Sequence, residues 1–131
     1  MVTEQDLRKY IAAELHNHVN DLEYQPIYEI LVFEKPDSET VYPTGKHSGF
    51  PDMGATMSPG FYHSFQDAYD AIINNACDIW ETCYDGAFLL CRLPGLYMPV
   101  ASEGRMYFTY DHETRHYVQK EEPPIFKHHA L

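Results

Sequence analysis

The segment from Gly49 to Gly54 has the glycine spacing of a nucleotide-binding P-loop. In a P-loop the second glycine precedes lysine and then serine or threonine, because the lysine ammonium meets the terminal phosphates. Ala55 and Thr56 stand at those two positions, and the chain contains no Gly-x-Gly-x-x-Gly motif. The sequence therefore argues against a nucleotide P-loop. Two interpretations stay open: the glycines form tight turns in an anchored surface loop, or the loop covers a small-molecule pocket.

The histidines and cysteines lack the spacing of a metal site. The chain has eight His and three Cys, but no Cys-x-x-Cys and no His-Glu-x-x-His. Assembly of a zinc site from distant parts of the chain stays open. Cys91 lies in an apolar run and is expected to be an inert core thiol. The odd cysteine count is typical of reduced thiols, so we predict no disulfide, no structural metal and no cofactor.

Three carboxylates have a spacing that could place them together. Asp78, Glu81 and Asp85 fall at i, i+3 and i+7, so they would share one face if residues 77–85 were helical, with an arginine such as Arg105 as an ion-pair partner. The same segment could instead be an extended link. Paired carboxylates are common on solvated surfaces, so this group predicts either an acidic edge or a contact surface rather than a reaction.

The charge balance excludes some classes of protein. Twenty acidic residues face nine basic ones, for a formal net charge of −11. Nucleic-acid binding and attraction to anionic membranes both require clustered Lys and Arg, so neither is expected. The acidic excess keeps the protein soluble through charge repulsion, or it forms a surface that binds a basic partner. No apolar run approaches the ~18 residues of a membrane span, and the first ten residues lack the order of a signal peptide. We therefore expect a cytoplasmic protein.

The element pattern predicts one small domain. A Thr3 cap followed by apolar residues at helical spacing predicts a helix over 4–18. The run 26–35 is rich in β-branched and aromatic residues and predicts an interior strand. A long loop follows over 41–62, which we expect to be ordered because aromatic and methionine side chains would anchor it. A second capping box at Ser64 predicts a helix over 65–76.

The second half of the chain predicts more strands. The segment 86–93 reads as a buried strand, and 105–110 with 115–120 reads as a β-hairpin. Residues 121–131 form an extended C-terminal tail. With 131 residues, close to the commonest domain size, the chain is expected to be a single α+β domain. That domain would have two helices, about four mostly antiparallel strands and one long ordered loop.

Several fragments over residues 50–131 carry a resemblance: "FPDMG", "CDIWE", "PGLY", "RMYFTYD" and "EEPPIFKHHAL". This part of the chain resembles a family of small uncharacterised proteins from gut Firmicutes of the Clostridia type, often associated with mobile elements. The resemblance implies a bacterial cytoplasm and no particular reaction. It also implies that the tail packs back onto the domain through Glu121, Glu122, Phe126 and His128.

These observations predict a binding or accessory protein rather than an enzyme. The expected partner is another protein, basic in character, because exposed aromatics beside carboxylates make interface anchors. The alternative is a small-ligand-binding protein or an enzyme with its pocket beneath residues 45–62. The candidate ligand or interface residues are Asp52, Tyr62, Asp78, Trp80, Glu81, Asp85, Arg105 and Tyr107.

Overall fold

The computed structural model describes residues 1–18, 25–33, 56–76, 86–95, 99–127 and 130–131. Within these ranges the two helices begin where the sequence supplies a side-chain cap. Helix α1 spans Glu4–His18. The Thr3 backbone N–H donates to Asp6 Oδ2 at 2.8 Å, and the Asp6 N–H donates to Thr3 Oγ1 at 3.2 Å. This reciprocal capping box satisfies donors that the first helical turn leaves unpaired.

Helix α2 spans Phe65–Ile73. Its cap is Ser64, whose Oγ accepts from the Asp67 backbone N–H at 3.3 Å. The sequence predicted this helix to run to residue 76. It ends earlier because Asn75 adopts a left-handed conformation with φ of 51°, which an asparagine tolerates and a continuing helix does not.

The described residues form five antiparallel strands in the order β2-β1-β3-β4-β5. This arrangement confirms a small single α+β domain, with five strands where the sequence predicted about four. The strands are β1 (Ile27–Phe33), β2 (Thr56–Tyr62), β3 (Gly86–Arg92), β4 (Arg105–Asp111) and β5 (His116–Lys120).

The fifth strand is β2, which lies in the segment predicted as loop. Among the described residues it pairs with β1 alone and forms an edge of the sheet, where the missing N–H of Pro59 is tolerated. Phe61 is 60% exposed and Met57 is 42% exposed, so neither side chain anchors the segment as predicted. Tyr62 does pack against the core. The rest of the predicted loop, 41–55, lies outside the described residues, as does 77–85.

The two faces of the sheet are covered by different parts of the chain. On one face the Cys91 thiol donates to the Leu7 carbonyl of α1 at 3.8 Å, and the Tyr69 ring of α2 lies 5.8 Å from the Phe108 ring. On the other face, Phe126 in a short 3-10 turn (Pro124–Phe126) lies 5.4 Å from the Phe88 ring. The C-terminal segment therefore supplies the cover that helices supply on the opposite face.

No helix in the described part of the chain is long enough and apolar enough to cross a membrane.

Candidate ligand-binding cavity

A cavity of about 700 Å³ opens where the start of α1 meets the start of β4 and the end of β5. Its volume lies in the range typical of small-molecule sites. The lining comes from three parts of the chain that are distant in sequence: the N-terminal helix, the turn into β4, and the segment after β5. The lining residues are Met1, Val2, Asp6, Lys9, Tyr10, Ser102, Glu103, Arg105, Tyr107, Lys120, Glu121, Glu122 and Lys127.

Arg105 is the buried cation in the wall of this cavity, with 2% of its surface exposed. Its Nε donates to Glu122 Oε1. Its Nη1 donates to the Val100 carbonyl at 2.9 Å, and its Nη2 donates to the Phe126 carbonyl at 2.7 Å. The guanidinium carbon also lies 5.3 Å from the centre of the Phe88 ring. These contacts fix the guanidinium as a structural group that orients Glu122.

The strand register explains why Arg105 and Glu122 meet. Tyr107 pairs with Lys120 across the β4–β5 ladder, so the residues two positions further out, Arg105 and Glu122, lie opposite each other on the same face. The ion pair therefore follows from the hairpin geometry and not from a local sequence motif.

Glu122 has one carboxylate oxygen without a hydrogen-bond partner among the described residues. Its side chain is 10% exposed, and Oε2 is fully buried and unpaired. Buried polar atoms are nearly always hydrogen-bonded, so a native exception calls for an explanation. Glu122 lines the cavity, but Oε2 has almost no accessible surface, so this oxygen does not face the cavity.

Two tyrosines complete the wall. Burial, followed by the charge of Glu122, raises the pKa of Tyr107 to about 12, so its hydroxyl stays protonated at neutral pH. The Tyr10 hydroxyl accepts from the Ala101 N–H at 3.2 Å, and burial raises its pKa. The Tyr10 ring lies directly over Gly104, where a Cβ would overlap the ring. A residue larger than glycine at 104 would therefore displace the Tyr10 ring from the cavity wall.

The charge around the cavity differs from that of the whole protein. Four of the nine basic residues line it, together with four of the twenty acids. Lys9, Lys120 and Lys127 are exposed at the rim, whereas Arg105 is buried. In a chain with a net charge of −11, this balanced region repels an anion less than the charge of the whole chain implies.

The structure brings together two of the residues that the sequence singled out. Arg105 and Tyr107 both line the cavity, and Tyr107 is 5% exposed within the aromatic cluster. Arg105 pairs with Glu122, a partner that the sequence analysis did not consider for it. Tyr62 lies on β2, at the edge of the sheet opposite to β5. It lines a more open depression of about 400 Å³. The remaining candidates, Asp52, Asp78, Trp80, Glu81 and Asp85, lie outside the described residues.

Within the described ranges, the structure does not favour a metal site or a cysteine nucleophile. There, no group of three His, Cys, Asp or Glu side chains could hold a metal ion. Cys91 is completely buried, and this burial raises its pKa to about 12, so its thiol stays neutral and is a poor nucleophile. Cys77 and Cys83 fall outside the described residues.

Comparison of the chain with protein-family models, with curated proteins and with solved structures finds no match.

Proposed function

We propose that this protein binds a small polar molecule in the cavity between α1 and the β4–β5 hairpin. The observation that carries the proposal is the cavity of about 700 Å³ itself, which three distant parts of the chain line together. Concave sites of this volume, with a few polar groups and aromatic rings in their walls, are typical of small-molecule binding.

Binding, and not catalysis, is the activity that these residues support best. The buried groups are held by the scaffold: Arg105 by two carbonyls and Glu122, and Tyr10 by the Ala101 N–H. Neither Tyr107 nor Cys91 ionises near neutral pH, so neither offers a ready nucleophile or base. This proposal develops the small-ligand alternative of the sequence analysis, with the site at α1 and β4–β5 instead of beneath residues 45–62.

Two-dimensional ¹H–¹⁵N spectra test this proposal directly. The labelled protein is titrated with free amino acids, sugar phosphates, nucleosides and small carboxylic acids. At least one of these compounds should shift the amide signals of Tyr10, Glu103 and Tyr107 in a saturable manner. If no compound does so, or if the shifts concentrate on β2, the cavity is not the binding site.

Lys9 and Arg8 offer a matched pair of variants for this titration. They are adjacent on α1 and both exposed, but Lys9 lines the cavity and Arg8 does not. Lys9→Trp removes one positive charge and places a bulky ring at the cavity rim, so it should weaken binding. Arg8→Trp makes the same change of charge and size outside the cavity and should leave binding intact.

A second candidate function is interaction with another protein, and Met57 and Phe61 favour it. Both are exposed on the edge strand β2, and a sheet edge offers unpaired backbone groups to a partner strand. The acidic excess would attract a basic partner. The proposed setting is a bacterial cytoplasm and a gene near a mobile element, which the sequence resemblance supports.

Affinity capture with matched variants tests this second candidate. A partner identified from a bacterial lysate should be lost with Phe61→Ser and retained with Lys9→Trp, and its capture should weaken as salt screens the acidic surface. Loss with Lys9→Trp alone, or capture that is indifferent to salt, would argue against β2 as the contact.

A further inference from the structure

The surroundings of the edge strand β2 indicate what kind of segment a partner protein brings to it. We propose that β2 pairs with an extended segment of a basic protein, and that one Lys or Arg of this segment lies in the depression beside Tyr62, against Asp67 and Asp70 of α2. This inference rests on the second candidate function and adds to it the conformation and the charge of the partner segment.

The two edges of the described sheet differ in how they are protected. At β5, the Gln119 Nε2 donates to the Val2 carbonyl at 2.6 Å, and His116 Nδ1 lies 3.1 Å from the Ile73 carbonyl of α2. The N-terminal residues and α2 therefore both contact this edge strand. Strand β2 carries no charged side chain over its whole length, and charged side chains are a common means of blocking an open edge. Of the two edges, β2 is therefore better suited to accept another strand.

Pro59 restricts where that strand can add. It has no N–H to donate, and the register of β2 against β1 shifts in the same part of the strand. The ladder is regular at Phe61 and Tyr62, near the end of β2. Alternate residues of an antiparallel ladder direct their N–H and C=O toward the neighbouring strand, so one of these two directs both groups away from β1. An added strand is therefore expected at this end of β2.

The depression of about 400 Å³ adjoins the same end of β2. Its lining residues are Tyr62, Asp67, Asp70, Ala71, Asn74 and Ala76. Neighbouring strands lie about 4.8 Å apart, so a long side chain of an added strand that points to the same face as Tyr62 can reach the depression. The alternate side chains of that strand point to the opposite face, where Phe61 is 60% exposed. The expected segment therefore places a basic side chain on one face and an apolar side chain on the other.

The charges in the described lining of the depression are all negative. Asp67 and Asp70 are exposed, and the described lining contains no Lys or Arg. Asp70 Oδ1 accepts from Gln66 at 2.8 Å, and a carboxylate can accept further hydrogen bonds. The larger cavity differs in this respect, since four basic and four acidic residues line it. With a net charge of −11, the field of the whole protein also favours a basic partner.

A second copy of this chain fits the surface less well than a basic protein does. Its own β2 has no Lys or Arg to place against Asp67 and Asp70. It would also bring a further net charge of −11 to the contact, and like charges repel. The charge of the surface therefore favours a basic segment of another protein.

A random heptapeptide library displayed on phage tests the inference with the unmodified protein immobilised. The enriched peptides should contain Lys or Arg next to an apolar residue, among residue types that favour extended backbone. Enrichment of acidic or uncharged peptides, or no enrichment above the bare surface, would overturn the inference.

Matched variants locate the basic side chain, with a synthetic copy of the most enriched peptide as the probe. Asp67→Asn/Asp70→Asn should lower the affinity for this peptide about fivefold at low salt, as expected of exposed ion pairs. Glu103→Gln/Glu113→Gln makes the same change of net charge at exposed residues outside β2 and α2, and should leave the affinity unchanged. Equal losses in the two double variants would contradict the depression as the site.

N-methylated versions of the same peptide test its extended conformation. Successive N–H groups of an added strand point alternately toward β2 and away from it. N-methylation should therefore abolish binding at one residue and be tolerated at the next, and loss at every residue or at none would argue against strand pairing. In ¹H–¹⁵N spectra the peptide should shift the amide signals of Phe61 and Tyr62 and leave those of Tyr10 and Glu103 in place.

These experiments separate the inference from the candidate function on which it rests. A lysate protein whose capture depends on Phe61, with no basic peptide enriched, would overturn the extended basic segment and leave β2 as a protein contact. Sedimentation of the free protein should give a monomer, and a dimer that Phe61→Ser disrupts would identify a second copy as the occupant instead. If neither peptides nor lysate proteins depend on Phe61, the inference and the candidate function are both wrong.

Discussion

Replacing Arg105 with methionine should lower the free energy of unfolding by about 3–5 kcal/mol, because it leaves Glu122 as a buried carboxylate without its counter-charge. The Arg105 side chain is 1% exposed and that of Glu122 is 10% exposed, so water cannot replace the lost partner. The substitution also leaves the Val100 and Phe126 carbonyls without the donors that Arg105 supplies. Urea denaturation of the purified variant, followed by circular dichroism, measures the effect.

Arg92 provides the control for this prediction. It pairs with Glu29 at 2.7 Å, but the two side chains are 28% and 27% exposed, so water can solvate the partner that remains. Arg92→Met should therefore cost less than Arg105→Met, about 1–2 kcal/mol for the part-buried ion pair and the 2.9 Å hydrogen bond from Arg92 to the Leu131 carbonyl. If both substitutions cost the same, the burial of the Arg105–Glu122 pair would not be what gives Arg105 its effect.

The double variant Arg105→Met/Glu122→Met refines the argument. Replacing both members of a buried ion pair with apolar side chains is often neutral or stabilising, so the double variant should recover most of the stability lost in Arg105→Met.

The sequence predicted the helix starts well because those signals are local. Thr3 and Asp6 are three residues apart, and their hydrogen bonds form within one turn. The apolar strand that contains Cys91 could be predicted equally well, because a buried strand appears in the sequence as a continuous hydrophobic run. The N-terminal ends of both helices and the expected burial of Cys91 could therefore be read from short windows of sequence.

Strand β2 was missed because its identity depends on position in the sheet. Pro59 and Gly60 favour turns in isolation. As an edge strand it needs hydrogen bonds on one side only, so the same residues are compatible with pairing to β1. A one-dimensional pattern does not contain this information, because it does not state which strands have a neighbour on each side.

For a similar reason, the sequence predicted only some of the residues that line the cavity. Arg105 and Tyr107 were identified as candidates, whereas Glu122 became a site residue only through the register of the hairpin. The sequence predicted a loop over 111–114, which would place Arg105 opposite Lys120. In the structure Asp111 pairs with His116, and Arg115 adopts φ of 59° within the turn. This shift moves Glu122 opposite Arg105 and creates the ion pair.

The C-terminal segment is part of the core, so truncating Phe126 should destabilise the domain as much as a central substitution. Phe126 is 1% exposed, and its ring lies 5.4 Å from that of Phe88 and 6.2 Å from that of Tyr107. Phe126→Ala should lower the free energy of unfolding by about 3–5 kcal/mol, through lost burial and the cavity left behind.

Phe61→Ala is the matched control, since it deletes the same ring from a site that is 60% exposed. It should change stability by no more than about 0.5 kcal/mol, and urea denaturation of both variants under one condition makes the comparison. If Phe126→Ala costs less than about 1 kcal/mol while Phe61→Ala costs more, the C-terminal segment does not hold the sheet face as described. If the expected order is found, the segment that carries Glu122 and Lys127 is fixed to the domain by its own aromatic anchor. The cavity wall would then be preorganised before any ligand arrives, which reduces the entropy lost on binding.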